Sequence, residues 1–405
     1  MQLFHLSLTN FRNYVRCELD LSRPITVLHG ANAQGKTNLL EAVYLLATAQ
    51  SPRARSDREL INWLASEDHP PFARLDGRVE GSDALRDVSI VLLNTGDRLQ
   101  KEIRINGVKR RALDLVGQMK TVFFMPEDID LIAGSPDARR RHLDTAISQM
   151  DRAYARALRE YSRVLTQRNS LLRRLREHLG DPGQLEFWDE RLLAQGSQLI
   201  ATRLDTVAQL NESVQEIHSH LTGGVERLHL LYSCSLPLEG TGGLVAYRQL
   251  SVDAAPGQMT DPAGEIPTSS TVEAVFRQQL AEQQHKEIER GMTLIGPHRD
   301  DIRFLEGGVD MCTYGSRGQQ RTIAISLKLA EIELIRSQTS EEPILLLDDV
   351  MSELDEERRR YLMDTVHGDQ QVIVTTTDLE FFDPSFLERA VVRQIHEGRI
   401  VEPRP

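Results

Sequence analysis

The chain has 405 residues, 40% hydrophobic and 27% charged, with a net charge of −12, so its negative field excludes indiscriminate attraction to nucleic acid or anionic membrane and any polyanion site must be a local basic surface. That length buries at least one large core and predicts two or three regions, and no segment approaches the ~18 consecutive apolar residues of a transmembrane helix. Cys17, Cys234 and Cys312 show neither metal-ligand nor redox-pair spacing, which predicts unpaired thiols in a reducing cytoplasm.

Residues 1 to about 125 read as strands with one strong helix. Met1 to Leu8 alternates like a strand, a second strand lies around Cys17 to Leu21, and Ile25, Val27 and Leu28 make a third. The third runs into Gly30-Ala31-Asn32-Ala33-Gln34-Gly35-Lys36-Thr37, which fits the phosphate-loop pattern G-x-x-x-x-G-K-[ST]. Leu39, Leu40, Ala42, Val43, Leu45 and Leu46 then recur at helical spacing, so the backbone N–H groups of the loop, Asn38 included, converge at a helix N-terminus. The chemistry is that of a nucleoside triphosphate with Mg²⁺: Lys36 reaches the β- and γ-phosphates and Thr37 places its hydroxyl on the metal. Gly30 and Gly35 let the backbone turn tightly against the phosphates. Further strands are predicted near Val88 to Leu93, Ile103 to Ile105 and Thr121 to Met125, with a hairpin turn at Asn106-Gly107.

From Asp137 to about Leu221 the pattern becomes helical. Tyr154, Leu158, Tyr161, Leu165, Leu172, Leu175 and Leu179 fall on spacings of four and three, interrupted only by Arg168, and Gly180-Asp181-Pro182-Gly183 breaks the series. A second series runs from Leu185 through Leu221. This predicts either an antiparallel hairpin with arms on the order of 60 Å or a pair of core helices in a bundle. Between Asp137 and His178 there are eleven arginines against five acidic residues. Arg139, Arg140, Arg141, Arg152, Arg156, Arg159 and Arg163 are therefore the candidate polyanion surface, the one a nucleic acid such as DNA would meet through its phosphates, with salt-sensitive and largely sequence-independent contacts. The competing readings are a solvated helix face with intrahelical ion pairs and, for Arg139 to Arg141, a lining for the nucleotide site.

A Pro/Gly-rich surface loop is expected at about 237–270, then a helix from Thr271 to about Arg290. His298, Asp300 and Asp301 crowd one short stretch, which reads as a structural or interface loop because adjacent residues cannot all face one metal. Tyr314-Gly315-Ser316-Arg317-Gly318-Gln319-Gln320-Arg321 precedes a helical run, a second N-terminus suited to an anion. Pro343 to Leu347 is a buried-strand pattern ending in Asp348 and Asp349. Asp348 would hold Mg²⁺ and Asp349 would polarise an attacking water. Asp355 follows as a further nucleotide contact and alternative base, and Thr377 ends the next apolar strand.

These elements, in this order, resemble the ATP-binding-cassette ATPase heads of the SMC type. Asn10-Phe11-Arg12-Asn13-Tyr14, Pro126-Glu127-Asp128, Gly134-Ser135-Pro136 with Arg139 to Asp144, Gly296 to Asp301 and Gly315 to Arg321 extend the resemblance over nearly the whole chain to the bacterial RecF family. The resemblance implies an α/β head formed by 1–125 with 292–405, carrying an inserted helical domain at 126–291. It also implies a homodimer formed on ATP, in which Ser316, Gly318 and Gln319 of a signature loop complete the other subunit's phosphate site. Its function would be a recombination mediator in DNA repair and replication that recognises gapped duplex or single-strand/duplex junctions and works with RecO and RecR to load RecA. Asp349 stands where the wider family has glutamate and Thr377 stands near its switch histidine, which implies weak, slow ATP hydrolysis. An SMC-like tether would need arms of hundreds of residues. A transporter subunit would be shorter, with the full catalytic glutamate and histidine.

Overall fold

The computed structural model describes residues 1–67, 70–81, 84–238, 266–365 and 370–401; most of the Pro/Gly-rich stretch expected at 237–270 lies outside them. In chain order, β1 (Gln2–Phe11), β2 (Tyr14–Asp20) and β3 (Ile25–His29) precede α1 (Lys36–Thr48). Then come β4 (Phe72–Glu80), β5 (Leu85–Asn94), β6 (Leu99–Ile105), β7 (Val108–Arg110), α2 (Ala112–Leu115) and β8 (Thr121–Phe124). The middle of the chain forms α3 (Asp130–Ala133), α4 (Pro136–Met150), α5 (Arg152–Arg176), α6 (Leu185–Leu221), β9 (Leu228–Ser233) and α7 (Ser269–Arg290). It continues through β10 (Asp301–Glu306), β11 (Val309–Asp310), α8 (Met311–Tyr314) and α9 (Arg317–Thr339). Last are β12 (Ile344–Asp348), α10 (Glu356–Asp364), β13 (Val372–Thr376), α11 (Pro384–Arg389), β14 (Ala390–His396) and β15 (Arg399–Val401).

The chain packs as two compact units, Met1–Glu127 with Glu331–Pro405, and Asp128–Ala330. The second boundary therefore differs from the one drawn at 291/292. Residues 292–330 group with the helical insert because β10 forms a ladder with β9 and Asp301 pairs with Arg139.

The first unit holds an antiparallel sheet of order β2-β1-β4-β5-β6-β7 and a mixed sheet of order β15-β14-β3-β13-β12-β8. In β1 Leu6 and Leu8 turn inward between His5, Ser7 and Thr9, the alternation of a sheet solvated on one face, and an irregularity between Leu3 and His5 brings Leu3 to the same buried side. β12 and β13 are buried along their whole length, as strands covered on both faces must be. Leu39, Leu40, Val43 and Leu46 of α1 lie in one core with residues of both sheets, among them Leu6, Leu75, Ile90, Leu346 and Ile373. That core fixes the helix whose N-terminus carries the phosphate-loop motif.

In the second unit the predicted first arm is broken. Asp151 adopts extended backbone (φ −123°) and caps the next helix by accepting from the Ala153 N–H, so α4 and α5 are separate helices. At 1.5 Å per residue α5 spans about 37 Å and α6 about 55 Å. They are not a free hairpin, because α7 packs against both as a third helix. The approach of α7 to α6 needs Gly196, where a Cβ would come within 2.7 Å of the Phe276 ring.

Arg168, the interruption in the apolar series, is the polar centre of this bundle. It is fully buried; its Nε donates to Asp189 Oδ1 at 2.6 Å and its Nη1 to Thr293 Oγ1 at 2.8 Å. Nη2 lies 2.7 Å from Glu287 Oε2, an ion contact off the hydrogen-bond axis. Removing one partner from such a set leaves uncompensated buried charge. Arg168→Met is therefore expected to lower the unfolding free energy by about 3–5 kcal/mol, with Asp189→Asn and Glu287→Gln added to it recovering part of the loss. Urea unfolding followed by Trp188 fluorescence in a Trp63→Phe background measures this, since Trp188 packs on the neighbouring Leu171–Leu185 cluster.

Candidate nucleotide site and signature loop

The loop at Gly30 to Thr37 is gripped on several sides. A Cβ on Gly30 would sit 2.4 Å from the Ile395 carbonyl oxygen of β14, and one on Gly35, at φ 109°, would sit 2.4 Å from Asn13 Nδ2. Both glycines are thus required by close approach, and Gly35 also by its backbone conformation. Asn13 Nδ2 donates to the Gln34 carbonyl at 3.0 Å and its Oδ1 accepts from Asn38 Nδ2 at 2.8 Å, while Tyr14 OH donates to the Gly35 carbonyl at 3.0 Å. From the β14–β15 turn, Gly398 N–H donates to the Gln34 carbonyl at 3.0 Å and Glu397 N–H to Gln34 Oε1 at 2.7 Å. The turn carrying Asn13 is itself anchored to α1 by the bidentate pair of Arg12 with the fully buried Glu41, which also accepts from Ser51 Oγ.

Lys36 Nζ donates to the Gly30 carbonyl at 2.6 Å and the Ala31 carbonyl at 3.0 Å. Burial lowers its pKa, and the charges of Asp349 and Asp348 oppose that shift. Thr37 Oγ1 donates to Asp348 Oδ1 at 2.8 Å, and Thr375 Oγ1 donates to the same oxygen at 2.8 Å. Burial pushes the Asp348 carboxyl above its ordinary range, and these two hydroxyls partly offset the rise. Asp349 turns the chain in the left-handed region (φ 50°), its N–H meets Thr375 Oγ1 at 2.9 Å, and its buried Oδ1 has no hydrogen-bond partner. Thr375 was not anticipated; it is the register partner of Asp348 across the parallel β12–β13 ladder. Thr377, by contrast, lies exposed in the bend after β13. Asp355 accepts from the Arg358 N–H at 2.9 Å as the N-cap of α10 and pairs with the Arg358 guanidinium, so its carboxylate is already engaged.

Ser316, Gly318 and Gln319 belong to the other unit. Ser316 and Gly318 are exposed around the start of α9. Ser316 N–H donates to Gln319 Oε1 at 3.1 Å and Gln319 N–H to Ser316 Oγ at 3.3 Å, a reciprocal cap.

The arginines divide. Arg139 was expected on a DNA-facing surface, but it is 3% exposed, bidentate to Asp301 and bonded to the Ile132 and Gly134 carbonyls; its guanidinium is saturated and cannot meet a phosphate. Arg140 Nη1 donates to the Asp300 carbonyl, and exposed Arg141 pairs with Asp137. Arg152, Arg156, Arg159 and Arg163 are exposed at spacings of four, three and four, one stripe on α5. Among the described residues the first three make no ion pair and Arg163 only approaches Glu160 at 3.8 Å. Asp300, in the crowded stretch, is consumed internally by Tyr232 OH and the Ser235 N–H.

The family model described as RecF/RecN/SMC N terminal domain matches residues 2–398. The DNA replication and repair protein RecF of Chloroflexus aurantiacus is 39% identical over 99% of this chain and 99% of its own, and that of Bacillus subtilis is 37% identical over 99% and 100%. The chain belongs to the RecF family. Among solved structures, one described as the recombination mediator protein RecF-ATP in the RecFOR pathway superposes with a TM-score of 0.84 at 29% identity, covering 100% of this chain and 98% of that one. An SMC head bound to the C-winged helix domain of ScpA shares the fold, with a TM-score of 0.52 at 14% identity over 99% and 98%. The ATP-binding-cassette head of the SMC type, expected from the motif order, is therefore the family fold. Among the described residues no helix is long and apolar enough to cross a membrane.

A carboxylate held ionised in a dry site costs stability in full above its raised pKa, and that cost is lost progressively as the pH falls from there through the ordinary carboxylate range. Asp348→Asn keeps an oxygen for both threonine hydroxyls without the charge. It is expected to raise the Tm of the nucleotide-free protein by roughly 2–4 °C, for about 1 kcal/mol, with the gap closing toward acid pH; calorimetry across pH checks this.

Proposed function

We propose that this chain is an ATP-dependent DNA-binding recombination mediator, acting in the cytoplasm in repair and replication. It forms a homodimer on ATP, binds single-strand gaps or junctions with duplex DNA, and works with RecO and RecR to load RecA. The observation that carries the reading is the contact of Thr37 Oγ1 with Asp348 Oδ1 at 2.8 Å, at the base of the glycine-walled loop. Two hard oxygens set side by side next to an ammonium group fit Mg²⁺ on a triphosphate. Thr37 and Asp348 would hold the ion, which would supply neutralisation of the phosphate charge. Lys36 exchanges its two carbonyl partners for phosphate oxygens, and the loop N–H groups from Ala31 to Asn38 surround them.

Asp349 acts as the general base; its buried Oδ1 makes no hydrogen bond of its own. Being one methylene shorter than glutamate, it holds that water less closely than the ~3 Å contact general-base catalysis needs. Hydrolysis is slow for that reason, on the order of a few per minute or less against ~1–100 s⁻¹ for typical kinases, and acts as a timer on the DNA-bound dimer. Thr377, just past the strand that carries Thr375, lacks the imidazole that would help hold the γ-phosphate and the water, which slows the step further. Ser316 and Gly318 meet the γ-phosphate held by the other subunit.

Sedimentation with and without ATP and with gapped duplex tests the assembly. The wild type should dimerise on ATP, and Ser316→Arg should bind ATP with unchanged affinity yet stay monomeric; a Ser316→Arg protein that dimerises at wild-type nucleotide concentration overturns the arrangement. The α5 stripe is the proposed DNA contact, and each phosphate contact contributes about 0.9 to the slope of log affinity on log salt. Reversing the charge at Arg152, Arg156 and Arg159 should therefore weaken binding and lower that slope by up to about 3 per arm. Titrations at several salt concentrations read both, and an unchanged slope moves the DNA site elsewhere.

A further inference from the structure

The exposed loop at Ser316 is held from within its own unit by an arrangement that a simple helix cap does not need. Gln319 caps Ser316 with its Oε1, and its Nε2 donates to Glu226 Oε1 at 3.2 Å and to Glu306 Oε2 at 3.3 Å. One acceptor would suffice to orient the amide. The second carboxylate brings like charges together, and burial with the nearby Glu226 charge pushes the Glu306 carboxyl up. Stability alone does not favour such a pair. Glu226 reaches further: its Oε2 lies 3.2 Å from Nε2 of His218, a fully buried residue on the last turn of α6. His218 Nδ1 lies 3.0 Å from Ser326 Oγ on α9, the helix that begins at the loop. The C-terminal end of the long helix thus touches the loop's helix directly through Ser326 and the loop itself through Glu226 and Gln319.

We propose that Glu226 and Glu306 are positioning residues for the Ser316 loop: by sharing Gln319 Nε2 they fix the amide so that Ser316 N–H and Oγ keep one orientation, and through His218 they tie that orientation to the end of α6. This rests on the reading that Ser316 completes the nucleotide site of a second copy of this chain. Without acceptors the Gln319 side chain is free to rotate, its Oε1 leaves the Ser316 N–H, and the loop meets a γ-phosphate in many conformations instead of one. A displacement of the end of α6 would act on the loop through the same contacts.

The test compares Glu226→Ala/Glu306→Ala with Glu226→Gln/Glu306→Gln, whose amide oxygens can still accept from Gln319, and with Ser316→Arg. Binding of a fluorescent ATP analogue to the monomer, the ATP concentration at half-dimerisation by sedimentation, and the urea midpoint are measured for each. The alanine pair is expected to bind the analogue as the wild type does but to need on the order of tenfold more ATP to dimerise, the effect of losing two hydrogen bonds at the loop, and the glutamine pair is expected to restore dimerisation to within about twofold. If the alanine pair fails to fold, the Glu226→Ala single variant stands in for it. Wild-type dimerisation by the alanine variant alongside a monomeric Ser316→Arg overturns the positioning role. Wild-type dimerisation by Ser316→Arg itself overturns the reading of the loop, and the positioning role with it.

Discussion

Everything in the first unit answers to a backbone shape that ordinary residues cannot take. Gly35 has a positive φ with an asparagine side chain where a Cβ would be, and Gly30 lies against a carbonyl of β14. Such a loop does not hold itself, because a short run of small residues has too few contacts to offset its conformational entropy. It is held by Asn13 and Tyr14 from one turn and by Glu397 and Gly398 from another, with Arg12 and Glu41 locking the first turn onto the helix that follows the loop. Preorganisation of this kind removes an ordering cost that any anion in the loop would otherwise have to meet.

The motif and its strand-before, helix-after setting were legible in the sequence, because glycine spacing and apolar periodicity are local signals. Asp348 was legible for the same reason, as the polar end of an apolar strand. Thr375 was not, since its role exists only through the register of two parallel strands, and nothing in Val372 to Thr377 says which threonine faces the carboxylate. Asn13 and Gly398 were likewise invisible as loop supports, being about 20 and 360 residues from Gln34 with no shared pattern. The Asn10 to Tyr14 stretch carries a family resemblance but no local pattern that marks it as a support for a loop.

In the second unit the apolar periodicity carried the helices but not their number or their breaks. Asp151 interrupts a helical pattern with one side-chain cap, and its neighbours Met150 and Arg152 give no sign of it. Arg168 looked like a defect in a heptad series and is instead where three helices share one guanidinium. Arg139 misled for the related reason that charge counting treats every arginine as solvated; its partner Asp301 lies 162 residues away. The stripe from Arg152 to Arg163 was readable because helical spacing alone decides which face it occupies.

The place of β3 in its sheet has a bearing on how the molecule comes into being. Its neighbours are β14 and β13, both drawn from beyond residue 370. While the chain emerges from the ribosome, the strand that launches the glycine loop has no hydrogen-bonding partner on either edge until nearly the whole polypeptide has been made. Closing so wide a span is entropically slow, whereas Asp128 to Ala330 is continuous in sequence and can condense first. A truncated translation product ending before β13 would therefore carry the complete glycine motif and still lack the ladder that shapes it.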